Sequence, residues 1–246
     1  MFALALDTSS ADVTVGVGQV AATVAATTGD ARVDVRLLAS RVTVDARAHG
    51  ELLTPSIEAC LVDLGLKAAD LAAIVVGVGP GPFTGLRVGL VTAAVLADTL
   101  AIPAYGVCSL DAVAAYVEPP GVGPTAVDRA LLVATDARRR EVYWASYRDG
   151  VRLAGPAVQR PAELAADPTA LAGISRMAGA GARMYADVLR GDRVIELLDV
   201  DYPDPLALLC CAADRIRDAA PSEPLTPLYL RRPDAVEPGA AKSVTR

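Results

Sequence analysis

Histidine is nearly absent: the 246 residues hold one, His49. A single imidazole cannot build an HxxxH or HExxH metal site, and no histidine pattern supports a triad around Ser9 and Ser10, which read as turn serines. His49 precedes a helical pattern beside Gly50 and Glu51, so a capping or surface place is expected. Cysteine is scarce too. Cys60, Cys108, Cys210 and Cys211 form neither a CxxC pair nor a Cys/His grouping, which leaves no metal motif and predicts reduced thiols in a cytoplasmic protein. No apolar run reaches the roughly 18 to 20 residues of a membrane span. The stretch 71–86 is cut by Pro80 and Pro82 and reads as strand, turn and helix start. The N-terminus MFALALDTSS lacks a basic n-region, and Asp7 arrives too early for a signal peptide. Positive charge is in deficit, with 23 Lys and Arg against 29 Asp and Glu and a net charge of −6. That balance argues against a dedicated nucleic-acid binder, so a partner would have to supply the positive surface.

What is present is apolar and aliphatic. Hydrophobic residues make up 53% and aromatics only 4%, with Ala and Val supplying much of the difference. The length suits one large domain or two small ones. Phe2 to Leu6 reads as a strand ending at Asp7. The turn TSSAD leads to the alternating VTVGVG, and a third strand pattern covers Val33 to Val44. Leu52, Leu53, Ile57, Cys60, Leu61 and Leu64 make a helical stripe within 49–64, with Gly65 placed to end it. Leu71 to Val78 has the continuous pattern of a strand buried on both faces. A helix over 85–100 and a strand near 103–107 follow.

A second round starts after the linker-like EPPGVGPT (118–125). LLVATD at 131–136 is again an apolar strand ending in an acid, and EVYWASY at 141–147 is again the returning strand. Asp12 and Val13 follow Asp7 as Glu141 and Val142 follow Asp136, a sign of internal duplication. Beyond the glycine turn AGAGA, a last helix is expected at 206–217 and a disordered tail at 233–246. The fold expected is α/β, with two tandem actin-like (ASKHA, ribonuclease-H-like) lobes, 1–106 and 107–232. Each is a mixed sheet flanked by helices, and the last helix (205–218) is free to pack on the first lobe.

In that architecture two hairpins cradle nucleotide phosphates across a cleft, which directs attention to GVGPGPFTGLRVGL at 77–90. Phosphate loops converge backbone N–H groups on the anion, but Pro80 and Pro82 have none. Leu86 and Arg87 stand where a Walker loop needs Lys and Ser/Thr, and GxGxxG does not fit either. The loop reads as a rigid bend whose glycines permit close backbone approach. A weak nucleotide or anion contact is left to Asp7, Thr8, Ser9, Thr84 (a candidate helix cap) and Arg87. Asp7 and Asp136 suit Mg²⁺ only in a kinase-like ATPase, and side chains follow both where such kinases place glycine. The run Arg138, Arg139, Arg140 reads as a solvated turn, or else as one that meets an acidic partner or a phosphate backbone. The helix after the loop, VGLVTAAVLA, has no charged face. Gly89, Ala93 and Ala97 line up at intervals of four, and two readings stay open: a helix covered by the chain's own second half, or an inter-subunit surface.

LALDTSSADVTVGV, HGELLTPSIEACL, GVGPGPFTGLRVGL, DARRREVYWASY and PLYLRRP together resemble, in order and spacing over about residues 2–232, the bacterial TsaB (YeaZ) family. The resemblance implies a fold like that of the threonylcarbamoyl transferase TsaD, without its HxxxH site and without catalysis, cofactor or metal of its own. It implies a TsaD heterodimer, a ternary complex with the ATPase TsaE, and a homodimer when TsaD is absent. The process served is threonylcarbamoylation of the adenosine beside the anticodon, with tRNA reached only through the complex. The resemblance places Leu53, Ile57, Leu61, Leu86, Gly89, Leu90, Ala93 and Ala97 in the helix-bundle interface. The segment 19–42 looks longer than the family's second and third strands. A small-molecule kinase of the same architecture and a glycoprotease-like peptidase are the competing readings.

Overall fold

The computed structural model describes residues 1–24, 31–118 and 130–231, so the linker after Glu118 and the expected tail at 233–246 lie outside it. The first sheet contains β1 (Phe2–Asp7), β2 (Asp12–Val24), β3 (Ala31–Val44), β4 (Leu71–Gly77) and β5 (Ala104–Val107), in the order β3-β2-β1-β4-β5. The second contains β6 (Ala130–Asp136), β7 (Val142–Arg148), β8 (Val151–Gln159), β9 (Ile174–Ala178) and β10 (Glu196–Leu197), in the order β8-β7-β6-β9-β10. The windings are identical. In each lobe the first strand pairs antiparallel with the second and parallel with the fourth. These are the two ASKHA-type lobes that the duplicated strand–acid–strand pattern implies.

Strand alternation assigns the helices. Leu4 and Leu6 turn to one face of the first sheet with Val13, Val15 and Val17, and there α1 (His49–Asp63) and α2 (Phe83–Leu100) cover them. Ala3 and Ala5 turn to the other face, where small residues let helices come close. That face carries α3 (Ser109–Val117), whose Leu110, Val113 and Ala114 also pack on Leu131, Val133 and Tyr143 of the second sheet. The short helices α4 (Pro161–Ala166), α5 (Ala180–Met184) and α6 (Ala186–Arg190) close the far face of the second sheet. The last helix, α7 (Pro205–Arg217), returns to the first sheet.

Two glycines in VTVGVG show why α7 fits there. A Cβ at Gly16 would sit 2.6 Å from Pro205 Cβ, and one at Gly18 would sit 2.5 Å from Leu209 Cδ1. Asp204 caps the helix, accepting from the Leu206 and Ala207 amides at 2.8 and 3.2 Å. α7 thus packs on the first sheet although it follows the second in sequence, and residue 106 lies within β5.

The second helix starts at Phe83, two residues before the expected Gly85, with Pro82 at its N-cap. Thr84 thus lies inside the first turn and does not cap. With 18 residues and a mean hydropathy of 1.4, α2 is long and apolar enough to cross a membrane by length and composition. In this fold one stripe of it packs on the first sheet.

Candidate functional site

The first hairpin turn is filled by the chain itself. Asp7, at the end of β1, is wholly buried, and its Oδ1 accepts from the Ser9 amide at 2.7 Å. Its Oδ2 accepts from Ser109 Oγ at 2.6 Å, and a Cβ at Gly77 would lie only 1.6 Å from that oxygen. Thr8 donates to the Gly85 carbonyl at 2.8 Å and accepts from the Gly89 amide at 3.0 Å, so its hydroxyl is fully engaged with α2. Gly81 rests on Ser9, where a Cβ would stand 2.1 Å from the Ser9 carbonyl oxygen. The glycines of 77–85 thus let the loop lie on the hairpin at backbone distance. The five residues assigned a weak anion contact are not brought together. Asp7, Thr8 and Ser9 are buried under the loop, whereas Thr84 and Arg87 are exposed on α2, the latter with its guanidinium 4.2 Å above the Phe83 ring.

Beneath the turn lies a second buried acid. Burial, and then the nearby Asp7 charge, push Asp12 from the ordinary carboxylate value up to about 6. Burial likewise raises Asp7, opposed by its bonds from Ser109 and Ser9. Hydrogen-bond geometry agrees for Asp12. Thr14 Oγ1 lies within hydrogen-bond distance of both Asp12 Oδ2 and the Pro203 carbonyl, the latter at 3.2 Å. One hydroxyl donates once, so both contacts form together only when Asp12 carries a proton and donates to Thr14. Ser10 Oγ donates to Asp12 Oδ1. The expected capping or surface role of His49 is corrected: Ala48 is the N-cap, and the buried imidazole holds the Ser10 carbonyl at 2.8 Å through Nε2.

The second hairpin differs. Arg138, Arg139 and Arg140 all take left-handed φ angles, 59°, 54° and 62°, in an exposed turn. Asp136 Oδ1 accepts from the Arg138 amide at 2.8 Å and so anchors the turn. The hairpins are linked through the glycine loop, because Tyr143 on β7 reaches the Gly81 carbonyl at 3.5 Å. Among the described residues no three His, Cys, Asp or Glu side chains converge as a metal site. On the other side of the lobe junction, a cavity of about 290 Å³ is bounded by Cys108, Asp111, Tyr147, Arg152, Cys211 and Arg215. Burial pushes the Cys108 and Cys211 thiols up to about 11 and 12, so both stay protonated at neutral pH and neither is a ready nucleophile.

The helix faces reverse the residue assignment made from the sequence. Leu53, Ile57, Leu61, Leu86, Gly89, Leu90, Ala93 and Ala97 all point into the core of the first lobe. The small-residue line of α2 serves close approach to its own sheet: a Cβ at Gly89 would stand 2.5 Å from Thr8 Oγ1. The apolar surface left in solvent is the opposite face, with Phe83, Val91 and Val95 at 50%, 60% and 58% exposure and Val62 of α1 at 76%. Ser109 and this outer face are site features that sequence reasoning missed, whereas the close approach of Gly77 and Gly81 was expected of the loop. Only the alternation of apolar residues around the whole of α2 hinted at the outer face.

Comparison with known proteins gives these features a context. The family model described as TsaD, tRNA N6-adenosine threonylcarbamoyltransferase, matches residues 37–195. An uncharacterised protein of Mycobacterium tuberculosis is 44% identical over 232 residues, 94% of this chain and 92% of its own. The tRNA threonylcarbamoyladenosine biosynthesis protein TsaB of Escherichia coli is 37% identical over 102 residues, 42% of each chain. A Pseudomonas aeruginosa crystal structure, described as an uncharacterised protein with similarity to peptidase YeaZ, superposes with a TM-score of 0.71. It is 28% identical and covers 94% of this chain and 99% of its own. With the transferase model spanning most of the chain and the YeaZ-like structure following both lobes, the chain belongs to the TsaB (YeaZ) family.

Proposed function

We propose that this chain is a non-catalytic subunit that docks on TsaD and supports formation of threonylcarbamoyladenosine in tRNA, with the outer α1–α2 face as its docking surface. One observation carries the reading: Val91 and Val95 of α2 and Val62 of α1 stand in solvent on helices whose opposite faces already serve the core. Apolar surface of this kind is stabilised by being covered. The partner favoured is one built on the same plan, since the transferase's family model matches this chain too and related lobes can meet like to like. In this reading a second copy covers the face when TsaD is absent, TsaE joins the pair, and tRNA meets the chain within the assembly in the cytoplasm. The loop seated on the first hairpin supports a supporting rather than a catalytic part, because Gly81 and Ser9 meet at backbone distance and fill the turn.

The test is co-purification with TsaD of the same organism, using Val91→Glu combined with Val95→Glu. Both positions are exposed, so the variant should fold as the wild type does and lose TsaD capture. Undiminished capture refutes the assignment. Calorimetric titration of the isolated chain with ATP·Mg²⁺ separates the kinase reading: tight binding with turnover would replace this one.

A further inference from the structure

We propose that the arginine turn of the second hairpin and the aromatic pair Phe83–Tyr229 form one contact surface for RNA with an unpaired base. This rests on the functional reading above only in taking RNA as a substrate of the assembly.

Four observations meet on one rim of the molecule. The first is the turn itself: three successive residues in the left-handed region, a conformation L-residues avoid, bring Arg138, Arg139 and Arg140 out together. The turn is held by the Asp136 carboxylate and by the Glu141 amide donating to the Arg138 carbonyl at 3.0 Å. The second is the returning segment 228–231. The Leu228 amide donates to the Val78 carbonyl at 2.8 Å, and Arg231 pairs with Glu141, so Tyr229 lies between the glycine loop and the arginine turn. The third is the aromatic pair. Tyr229 and Phe83 have centroids 5.1 Å apart at 33°, and both rings stay 40% to 50% exposed with Arg87 over Phe83. The fourth is charge. Arg138 pairs with Asp136 and Arg231 with Glu141, Asp201 lies near by, and Arg139 and Arg140 add two further cations to the turn on a chain whose net charge is −6.

Arginines beside exposed rings suit a phosphate backbone carrying a base that can stack. An acidic protein would use the charge and leave the rings without purpose. A paired duplex would not present a base face. The surface is small, so it adds to an assembly's grip on RNA rather than holding RNA alone, in keeping with the acidic composition.

The experiment is fluorescence anisotropy of a fluorescein-labelled RNA hairpin with a single-stranded loop, titrated with the chain bound to its TsaD partner across a range of salt. The first variant is Arg138→Asn with Arg140→Asn, because Asn accepts left-handed backbone angles and removes two charges without breaking the turn. The log–log salt dependence should become shallower by roughly 1.4, the value for two single-strand phosphates. The second is Tyr229→Ala, which should weaken binding about ten-fold with the salt slope unchanged. Unchanged affinity in both variants overturns the proposal. So does equal sensitivity of a blunt RNA duplex, which has no free base. Loss of TsaD with RNA affinity intact assigns the turn to a protein surface and also overturns it. If wild-type chain and TsaD do not associate, the earlier reading fails alone, and the same titration of the chain by itself decides this one.

Discussion

Replacing Asp12 by Asn should stabilise this protein at neutral pH, although it removes an acid that accepts two hydrogen bonds. Asp12 is wholly buried beneath the first hairpin and titrates at about 6 instead of the ordinary 3.8. The folded state therefore holds the proton more tightly than the unfolded chain does. The stabilisation linked to that proton is fully present below about pH 4 and is lost as pH rises through 6. A displacement of about two pH units corresponds to roughly 3 kcal/mol, and for a chain of this size to about 6–12 °C in Tm. Asn copies the protonated acid. Its amide donates to Thr14 Oγ1, as the acid's O–H does, and leaves Thr14 free to donate to Pro203, while its carbonyl accepts from Ser10. Thermal unfolding followed by circular dichroism from pH 4 to pH 8 measures the effect. The variant should match the wild type near pH 4 and exceed it increasingly up to pH 7. A variant less stable at pH 8, or a difference that ignores pH, refutes the reasoning. Any slope left in the variant belongs to Asp7, which burial raises in the same direction.

Ala93→Glu should leave the chain unfolded or insoluble, because Ala93 is wholly buried against the first sheet and the new carboxylate would have no partner there. Circular dichroism and size-exclusion elution check this; a folded variant that only loses its partner would put Ala93 back on an interface. Gly81→Ala should cost about 1–3 kcal/mol in urea unfolding, since its Cβ meets the Ser9 carbonyl oxygen at 2.1 Å and the loop must lift from the hairpin. Wild-type stability would mean the loop is not seated there. Ser109→Ala removes one of the two donors to buried Asp7 and should cost about 1–3 kcal/mol by the same assay, most at high pH where Asp7 needs them as an anion.

Much of this architecture was legible because the strands end in acids. LALD and LLVATD mark the opening strand of each lobe, and the repeat of strand, acid and returning strand gave the duplication that the two sheets realise. α1 followed from its apolar stripe, and α2 and α7 from helical patterns of matching length. Several elements were not read, α3 and β8 among them. α3, SLDAVAAYV, is only nine residues long and apolar on both sides because it lies between the sheets. β8 carries Gly155 and Pro156 in its middle, which reads as a break but suits an edge strand. The inner face of α2 was misassigned for a physical reason. A helix apolar all round has no pattern that says which side faces home, and the Gly89–Ala93–Ala97 line signals close approach without naming the neighbour. The place of His49 was unreadable too, since its partner is a main-chain carbonyl 39 residues away.

The filled hairpin and the outward apolar helix have a common consequence. A two-lobed fold that works on nucleotides must open and close around them, which requires few bonds across the cleft. Here the lobes are tied at the very place where they would part. Tyr143 of the second lobe approaches the Gly81 carbonyl at 3.5 Å, and Leu228 donates to Val78. Such contacts bear on the orientation of α2 relative to the second lobe. A surface of fixed orientation binds without first having to order itself. The seated loop and the outward face of α2 are joined in one stretch of chain, and both trace to the glycines that let residues 77–85 lie flat on the first turn.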